Sequence, residues 1–440
     1  MSSQRSKELA LYLVPSVLSA VSIFLFTIVD GIFVGRGVGS DALGAVNLAF
    51  PFIMFFNAFL MLAMVGGLTV TAIRIGRGDR KGAEEVFGLS VMVGFGICLV
   101  FTVLGTCFTK QMVRLLGANE TYFQLTYDYL FWYCAFLPTC GFCTLLGGFC
   151  RNDGAPALVS ISTVTATSLN IFGDWLCIYP LQMGLKGAAI ATGVAQTVGF
   201  LIVLTHFLFK KGSLKPVRPK DAKALLGKIL LRGLPECVAQ FSVPLSTVLT
   251  NIVIIKMLGD ADLNAYSVLC YAACFTVAIF LGTSEGMQPL LGRCYGAGNE
   301  KDLKYYFRAA MGIGFSGSLV LFFLMWLLWE KICVLFGVDG ATAAQAVYAY
   351  PRYSWGFVVQ SVTVIISGYL YSTTRTRSAL VINVLRSFVI NSAVILLLPM
   401  IFGKDSVWYT FGVFEAVCAA IAVVLCRKED RKGIIGNARE

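Results

Sequence analysis

The sequence predicts an all-α polytopic membrane protein: twelve transmembrane helices in two six-helix lobes that repeat one another in parallel. Three observations predict it. The 440-residue chain is 57% hydrophobic and 13% charged, about half the ~25% charge of a soluble chain. Apolar stretches of roughly 20 residues, the length that crosses a bilayer core, recur from end to end. The second half also repeats the punctuation of the first at a constant offset of 220 residues, with Pro15 returning as Pro235 and Leu43 and Ala45 as Leu263 and Ala265. Gly76, Gly78, Lys81 and Phe87 return as Gly296, Gly298, Lys301 and Phe307; Leu115, Gly117, Tyr133 and Gly148 return as Leu335, Gly337, Tyr353 and Gly368. Two similar halves in an apolar chain are the sequence trace of a transporter whose halves rock about a central site.

Helix 1 spans about 10–35. Arg5 and Lys7 precede it, but it is too long for a signal-peptide core and lacks a cleavage site, so it stays in the protein. Helix 2 (43–73) ends in the turn Ile75-Gly76-Arg77-Gly78-Asp79-Arg80-Lys81. Helices 3 (86–108), 4 (122–150), 5 (156–180) and 6 (187–209) complete an N-terminal lobe, 1–209. A polar linker, 210–228, carries Pro216 and Pro219. Helices 7 (228–256), 8 (263–292), 9 (305–330), 10 (343–371), 11 (378–402) and 12 (406–426) form a C-terminal lobe, 229–440, with a short tail. Helix 8 ends in a turn matching that of helix 2, Tyr295-Gly296-Ala297-Gly298-Asn299-Glu300-Lys301. Glycine permits the left-handed backbone that ends a helix, and the Asp79 or Asn299 that follows is suited to cap the next one. Six helices per lobe is an even number, so both lobes enter the membrane the same way and the repeats are parallel. Several stretches exceed 25 residues, which calls for tilt or kinks.

The net charge of +11 follows from loop placement. The N-terminus, the even-numbered connections and the C-terminus hold 24 Lys and Arg; the alternate loops hold seven. Basic loops stay on the cytoplasmic side, so both termini are expected inside, in a plasma (inner) membrane. A nucleic-acid partner would need one continuous basic face, and this scatter excludes it. Fourteen cysteines lie mostly in apolar helices. The Cys140/Cys143 pair therefore reads as small packing residues rather than as a redox or metal motif. His206, the only histidine, cannot build a zinc site alone. No GxxxxGK[ST] is present, which argues against ATP as the direct energy source.

Taken together, the motifs resemble one family. Val29-Asp30-Gly31-Ile32-Phe33-Val34-Gly35 and Leu43-Gly44-Ala45-Val46-Asn47 look like the first two helices of the multidrug and toxic compound extrusion (MATE) family. So do the two GxG turns, Asn170-Ile171-Phe172-Gly173-Asp174, Gln288-Pro289-Leu290, and Trp408 with Glu415. The resemblance covers nearly the whole chain and is nearest the MepA-type bacterial subgroup. It implies a secondary antiporter exporting organic, often cationic, drugs in exchange for H+ or Na+, with no other cofactor and no enzymatic activity. The expected partners are small organic cations and the lipid bilayer, and the expected state is a monomer.

Ionisable groups inside a transmembrane helix cost at least about 2.5 kcal/mol at its centre and mark function by default. Asp30 in helix 1 and Asp174 in helix 5 both fall in the outer half of their spans. Asn170 precedes Asp174 by four residues and shares its helical face, and Thr192 enters helix 6 at the same depth. Four oxygen-bearing side chains thus suit either a sodium ion or a proton on a carboxylate that burial makes costly to ionise. The repeat sets Thr250 opposite Asp30 and Val394 opposite Asp174, so a scaffold demand common to both halves does not explain the acids. The resemblance implies ion coupling at Asp30, Asn170, Asp174 and Thr192, with Asp30, Asp174 and Asn170 as metal ligands if the ion is sodium.

The second lobe carries Glu236, Glu285, Arg386 and Glu415. Glu285, Arg386 and Glu415 are candidates for substrate binding, with Glu285 in Gly282-Thr283-Ser284-Glu285-Gly286 matching a helix-8 acid of the MepA-type subgroup. A structural pairing of Arg386 with a glutamate is equally open, since an unpaired buried charge is strongly disfavoured. Glu236 is expected to reach the cytoplasm. Some MATE proteins carry an acid deep in helix 7, where this chain reads Phe241-Ser242-Val243-Pro244. The alternative function is a flippase for a lipid-linked glycan precursor. The mostly acidic intramembrane charge favours a cationic substrate instead. A membrane-embedded hydrolase would need a metal-ligand or nucleophile–base cluster, and a single histidine leaves little material for one.

Overall fold

The structure, a computed structural model, describes residues 2–116, 118, 120–209, 214–241, 249–250, 252–254, 256–258, 260–335 and 340–431. Parts of the expected linker (210–213) and of helix 7 (242–248, including Ser242, Val243 and Pro244) lie outside them. Among the described residues the chain is almost wholly helical and forms no strand. Among the described residues, seven helices are each long and apolar enough to cross a membrane. A pair of helices, 122–135 and 137–152, bent by 51°, makes an eighth if the two form one span. Twelve spans are consistent with this. Of the remaining stretches, α7 is rich in polar residues, combining six Ser and Thr with Asn170 and Asp174.

The chain divides into two compact units, Val14–Gly233 and Met1–Leu13 with Leu234–Glu440. This differs from the expected boundaries at 209/210 and 228/229. The physical reason lies in the first turns of α1 (Ser2–Gly37) and α9 (Ala222–Gln240). In the second unit Arg5 forms an ion pair with Asp302 at 2.6 Å. Tyr306 donates to Glu8 at 2.6 Å, and Arg293 donates to Tyr12 at 2.9 Å. In the first unit Leu225 and Ile229 pack with Val70, Val86 and Leu89. Gly66 faces the Ile229 carbonyl and Gly233 faces the Leu62 carbonyl so closely that neither glycine has room for a Cβ. Small residues let membrane helices approach in this way. Both arms end beside the repeated prolines, Pro15 and Pro235.

In the first unit α2 (Ser40–Gly76), α3 (Arg80–Cys107), α5 (Glu120–Ala135), α6 (Leu137–Asn152), α7 (Pro156–Ile178) and α8 (Gly184–Leu208) supply the long elements; α4 (Thr109–Leu115) is a short connection. The single helix expected over 122–150 breaks at Phe136, with Pro138 opening α6. Asp79 caps α3 by accepting from the Gly82 N–H at 2.9 Å. His206 lies 3.0 Å from Asp153, both side chains buried, and Asp153 also accepts from the Leu214 N–H. That is a structural role, fastening the beginning of the linker beside α8.

The second unit contains α10 (Asp260–Gly296), α11 (Glu300–Leu327), α12 (Trp329–Leu335), α13 (Gly340–Tyr353) and α14 (Trp355–Ser372). Asn299 caps α11 as Asp79 caps α3, accepting from the Asp302 N–H at 3.2 Å. Gly78 and Gly298, the second glycines of the matched turns, have φ of 77° and 69°, where a side chain would be strained. The expected helix 11 is not one regular helix: α15 (Thr376–Val384) passes through a π turn, Leu385–Ile390, into α16 (Asn391–Phe402). A 3-10 turn, Lys404–Tyr409, then leads to α17 (Thr410–Arg431). Trp329, Tyr350, Tyr353 and Trp408 fill the core of this unit.

Candidate ion and substrate sites

In the first unit, three helices bring the predicted polar residues together. Gly37 of α1 sits where a Cβ would strike Ile178 of α7, and Phe33 meets Tyr179 edge-on. This holds the end of α1 against the end of α7, with Asp30 and Asp174 one to two turns back along each. Gly173 faces Ala191, and Gly187 lies against Cys177, so α7 and α8 run in close contact. The Ser162 hydroxyl donates to the Gly199 carbonyl across the same seam at 2.8 Å.

The result is one connected cluster. The Asp30 and Asp174 carboxyls lie close enough to interact. In the orientation that satisfies its amide, Asn170 donates to Asp174 Oδ2 at 3.0 Å and accepts from the Thr192 hydroxyl at 3.0 Å. Asp174 is fully buried and Asn170 nearly so. One oxygen of each carboxyl, Asp30 Oδ1 and Asp174 Oδ1, is buried without a hydrogen-bond partner among the described residues. Buried polar atoms are nearly always satisfied, which sets these two carboxyl oxygens apart from the other polar groups of the cluster. Tyr129 of α5 is buried close enough to feel both charges. Sequence reasoning missed it, because a tyrosine among the aromatics of Tyr127–Tyr133 carries no distinguishing signal.

The second unit treats its candidates differently. Arg386, on the π turn, makes a bidentate pair with Glu415 of α17, from Nε at 2.9 Å and Nη2 at 2.7 Å to one carboxyl oxygen and from Nε at 3.2 Å to the other. Glu415 is fully buried and Arg386 is 7% exposed. Glu285 on α10 is exposed and stands outside this pair. The three expected substrate-binding residues therefore separate into a closed ion pair and one accessible acid. Glu236 does not simply end in solvent: it accepts from Gln240 at 3.0 Å and lies near both Glu285 and Arg386. Gln288 donates to the Tyr371 hydroxyl at 2.9 Å beside them. The sequence Gly282-Thr283-Ser284-Glu285-Gly286 also spells the GxSxG of a hydrolase elbow, which needs a strand-to-helix turn. Here it is the interior of α10, with Thr283 and Ser284 buried.

The MatE family profile matches this chain twice, over residues 15–176 and 235–397, the two starts standing 220 residues apart. The chain belongs to the MatE family. Members of the MatE family are transporters, and this one is of the MepA type: it is 22% identical over 424 residues to Multidrug export protein MepA of Staphylococcus aureus (strain bovine RF122 / ET3-1), spanning 95% of this chain and 93% of that protein. It is likewise 22% identical over 423 residues to MepA of Staphylococcus haemolyticus (strain JCSC1435), spanning 95% and 92%. Among solved structures, an outward-facing multidrug resistance MATE family transporter superposes with a TM-score of 0.90 at 22% identity, covering 97% of this chain and 96% of that one. A MOP superfamily transporter from Pyrococcus furiosus Vc1 (DSM3638) superposes at 0.88 and 22%, covering 99% and 97%. These likenesses make the MatE-family fold, an all-α polytopic membrane protein, secure.

Proposed function

We propose that this chain is a secondary multidrug antiporter of the plasma membrane that exports organic, often cationic, compounds in exchange for H+ or Na+, with both termini in the cytoplasm. The names of its relatives support the export of drugs. The observation that carries the coupling is the pair of orphan carboxyl oxygens on Asp30 and Asp174. Two neighbouring buried carboxylates repel each other and lose their hydration, so both cannot stay ionised without a cation. A single proton shared between them, or a sodium ion held by them with the Asn170 and Thr192 oxygens, removes that penalty. If the packing of α1 against α7 and α8 differs between conformers, ion entry favours one of them, which is how a gradient drives a cycle. Glu285 is the acid best placed to meet a cationic substrate, being accessible where Glu415 is not.

The test is substrate efflux from proteoliposomes under separately imposed pH and sodium gradients, paired with equilibrium drug binding. Asp30→Asn and Asp174→Asn each keep side-chain size and remove ionisation. Each is expected to abolish gradient-driven efflux while drug still binds. Wild-type efflux by both single variants would refute the assignment.

A further inference from the structure

The second unit carries a basic recess that the transport reading does not use. Arg5 of the α1 arm and Lys301, Lys304, Tyr305 and Arg308 of α11 line a cavity of about 620 Å³. Arg5 pairs with Asp302 and Lys304 with Glu300. Among the described residues no acid pairs with Lys301 or Arg308, and both are exposed. The recess therefore keeps a surplus of positive charge beside a tyrosine ring.

A second, largely apolar groove of about 400 Å³ lies along the same helix, between Met311, Gly312 and Phe315 of α11, Val362 and Ile366 of α14 and Val423 of α17, with Arg427 and Asp430 of α17 also in its lining and Asp430 paired with Arg375. Lys301, Lys304 and Arg308 continue into Met311, Gly312 and Phe315 at spacings of three and four residues, so they share one helical face. A Cβ on Gly312 would meet nothing within 4 Å, so the groove is open there. From Arg308 to Phe315 the helix rises about 10 Å, a step from a headgroup to an upper acyl chain.

The internal repeat supplies a control. At the 220-residue offset, Lys304, Tyr305 and Arg308 meet Glu84, Glu85 and Gly88, and Arg5 meets Leu225. Lys301 is shared with the first unit as Lys81, but the other three cations, Arg5, Lys304 and Arg308, are replaced there by a leucine, an acid and a glycine. There the place is also closed by the chain itself, since the Val217 backbone lies against Gly88 with no room for a Cβ. Scaffold needs shared by both halves require neither the charge nor the opening.

We propose that this face of α11 is a binding site for an anionic glycerophospholipid, its phosphate held by Arg5, Lys301, Lys304 and Arg308 and one acyl chain lying in the groove beside Gly312. Basic pockets at helix ends bind anionic headgroups through this combination of charge and apolar surface. The site is distinct from the ion cluster and from Glu285.

The test uses the full-length protein, reconstituted in phosphatidylcholine vesicles with a minority of phosphatidylglycerol, re-extracted and read by native mass spectrometry for retained lipid. Wild type is expected to retain phosphatidylglycerol well above its share of the vesicle. Lys301→Gln with Arg308→Gln, both exposed, is expected to weaken that preference about thirtyfold, the effect of two cations at a membrane surface. Gly312→Leu, which fills the groove, is expected to reduce retention of both lipids, and Lys220→Gln with Lys223→Gln to leave the preference intact. No preference in wild type, or a preference that survives the Lys301/Arg308 change, would overturn the proposal. So would displacement of the lipid by millimolar inorganic phosphate together with phosphate binding in pure phosphatidylcholine, because the site would then serve a free anion.

Discussion

Thr192 separates a structural from a functional reading of the N-terminal cluster at the level of one hydroxyl. Thr192→Val removes the partner of Asn170, and such a bond between membrane helices is worth only about 0.6 kcal/mol. Stability in detergent should hardly move, while the ion concentration for half-maximal efflux should rise about threefold, the same energy expressed as affinity. Glu285→Gln is expected to narrow export toward neutral compounds; an equal loss for cationic and neutral substrates at normal protein levels would favour a structural role. The Arg386–Glu415 pair makes the opposite prediction. Arg386→Leu alone strands a buried carboxylate and should cost about 3–5 kcal/mol, whereas Arg386→Leu with Glu415→Leu should cost far less. Thermal unfolding of both variants decides it, and equal losses would remove the pair as the cause. Asp30 and Asp174 were legible in the sequence because an acid on an apolar background has no cheap explanation. Glu236 was not, because it sits beside Pro235 near the expected start of a span, where a charge reaching solvent is the simpler reading.

Helices were the most readable elements, and their interruptions the least. The matched GxG turns and their Asp79 and Asn299 caps were predicted from residue type alone and are found as hydrogen bonds. The bend at Phe136 is marked only by Pro138, which opens α6 inside the helix expected over 122–150, and the π turn at Leu385–Ile390 contains neither glycine nor proline to announce it. The seam of α2 and α9 offers a test by volume. Gly233→Ala must push the Leu62 backbone away and should cost about 1–3 kcal/mol. Gly96→Ala in α3, where a Cβ meets nothing within 4 Å, should instead gain about 0.5–1 kcal/mol by restricting the unfolded chain. Thermal midpoints moving in opposite directions are the expected result; a loss in both would mean that helix substitution itself is the cause.

Across the whole molecule, the even and odd loops predict a sidedness that a single label can test. On a background without native cysteines, Lys215→Cys is expected to resist membrane-impermeant maleimide in intact cells and to react in inverted vesicles. Labelling from outside would reverse the assigned orientation of every loop. The repeat implies two lobes but does not mark where the cuts fall. The linker, being polar and rich in proline, attracted the boundary, whereas the cuts are set by which residues the arms touch. Those contacts are made between segments far apart in the chain, and composition does not record them.

The two arms occupy equivalent positions, Ser2–Leu13 and Ala222–Gly233, and each belongs to the compact body built mainly from the other half. That arrangement bears on ancestry. A six-helix ancestor with the same arm would leave it undocked as a lone subunit and could seat it only on a second copy, which is a reciprocal exchange of identical elements. Duplication and fusion of its gene would turn that swapped pair into one chain without altering a contact. The two halves were then free to diverge under a pairing already guaranteed by their covalent link, one keeping the acids and the other the arginine.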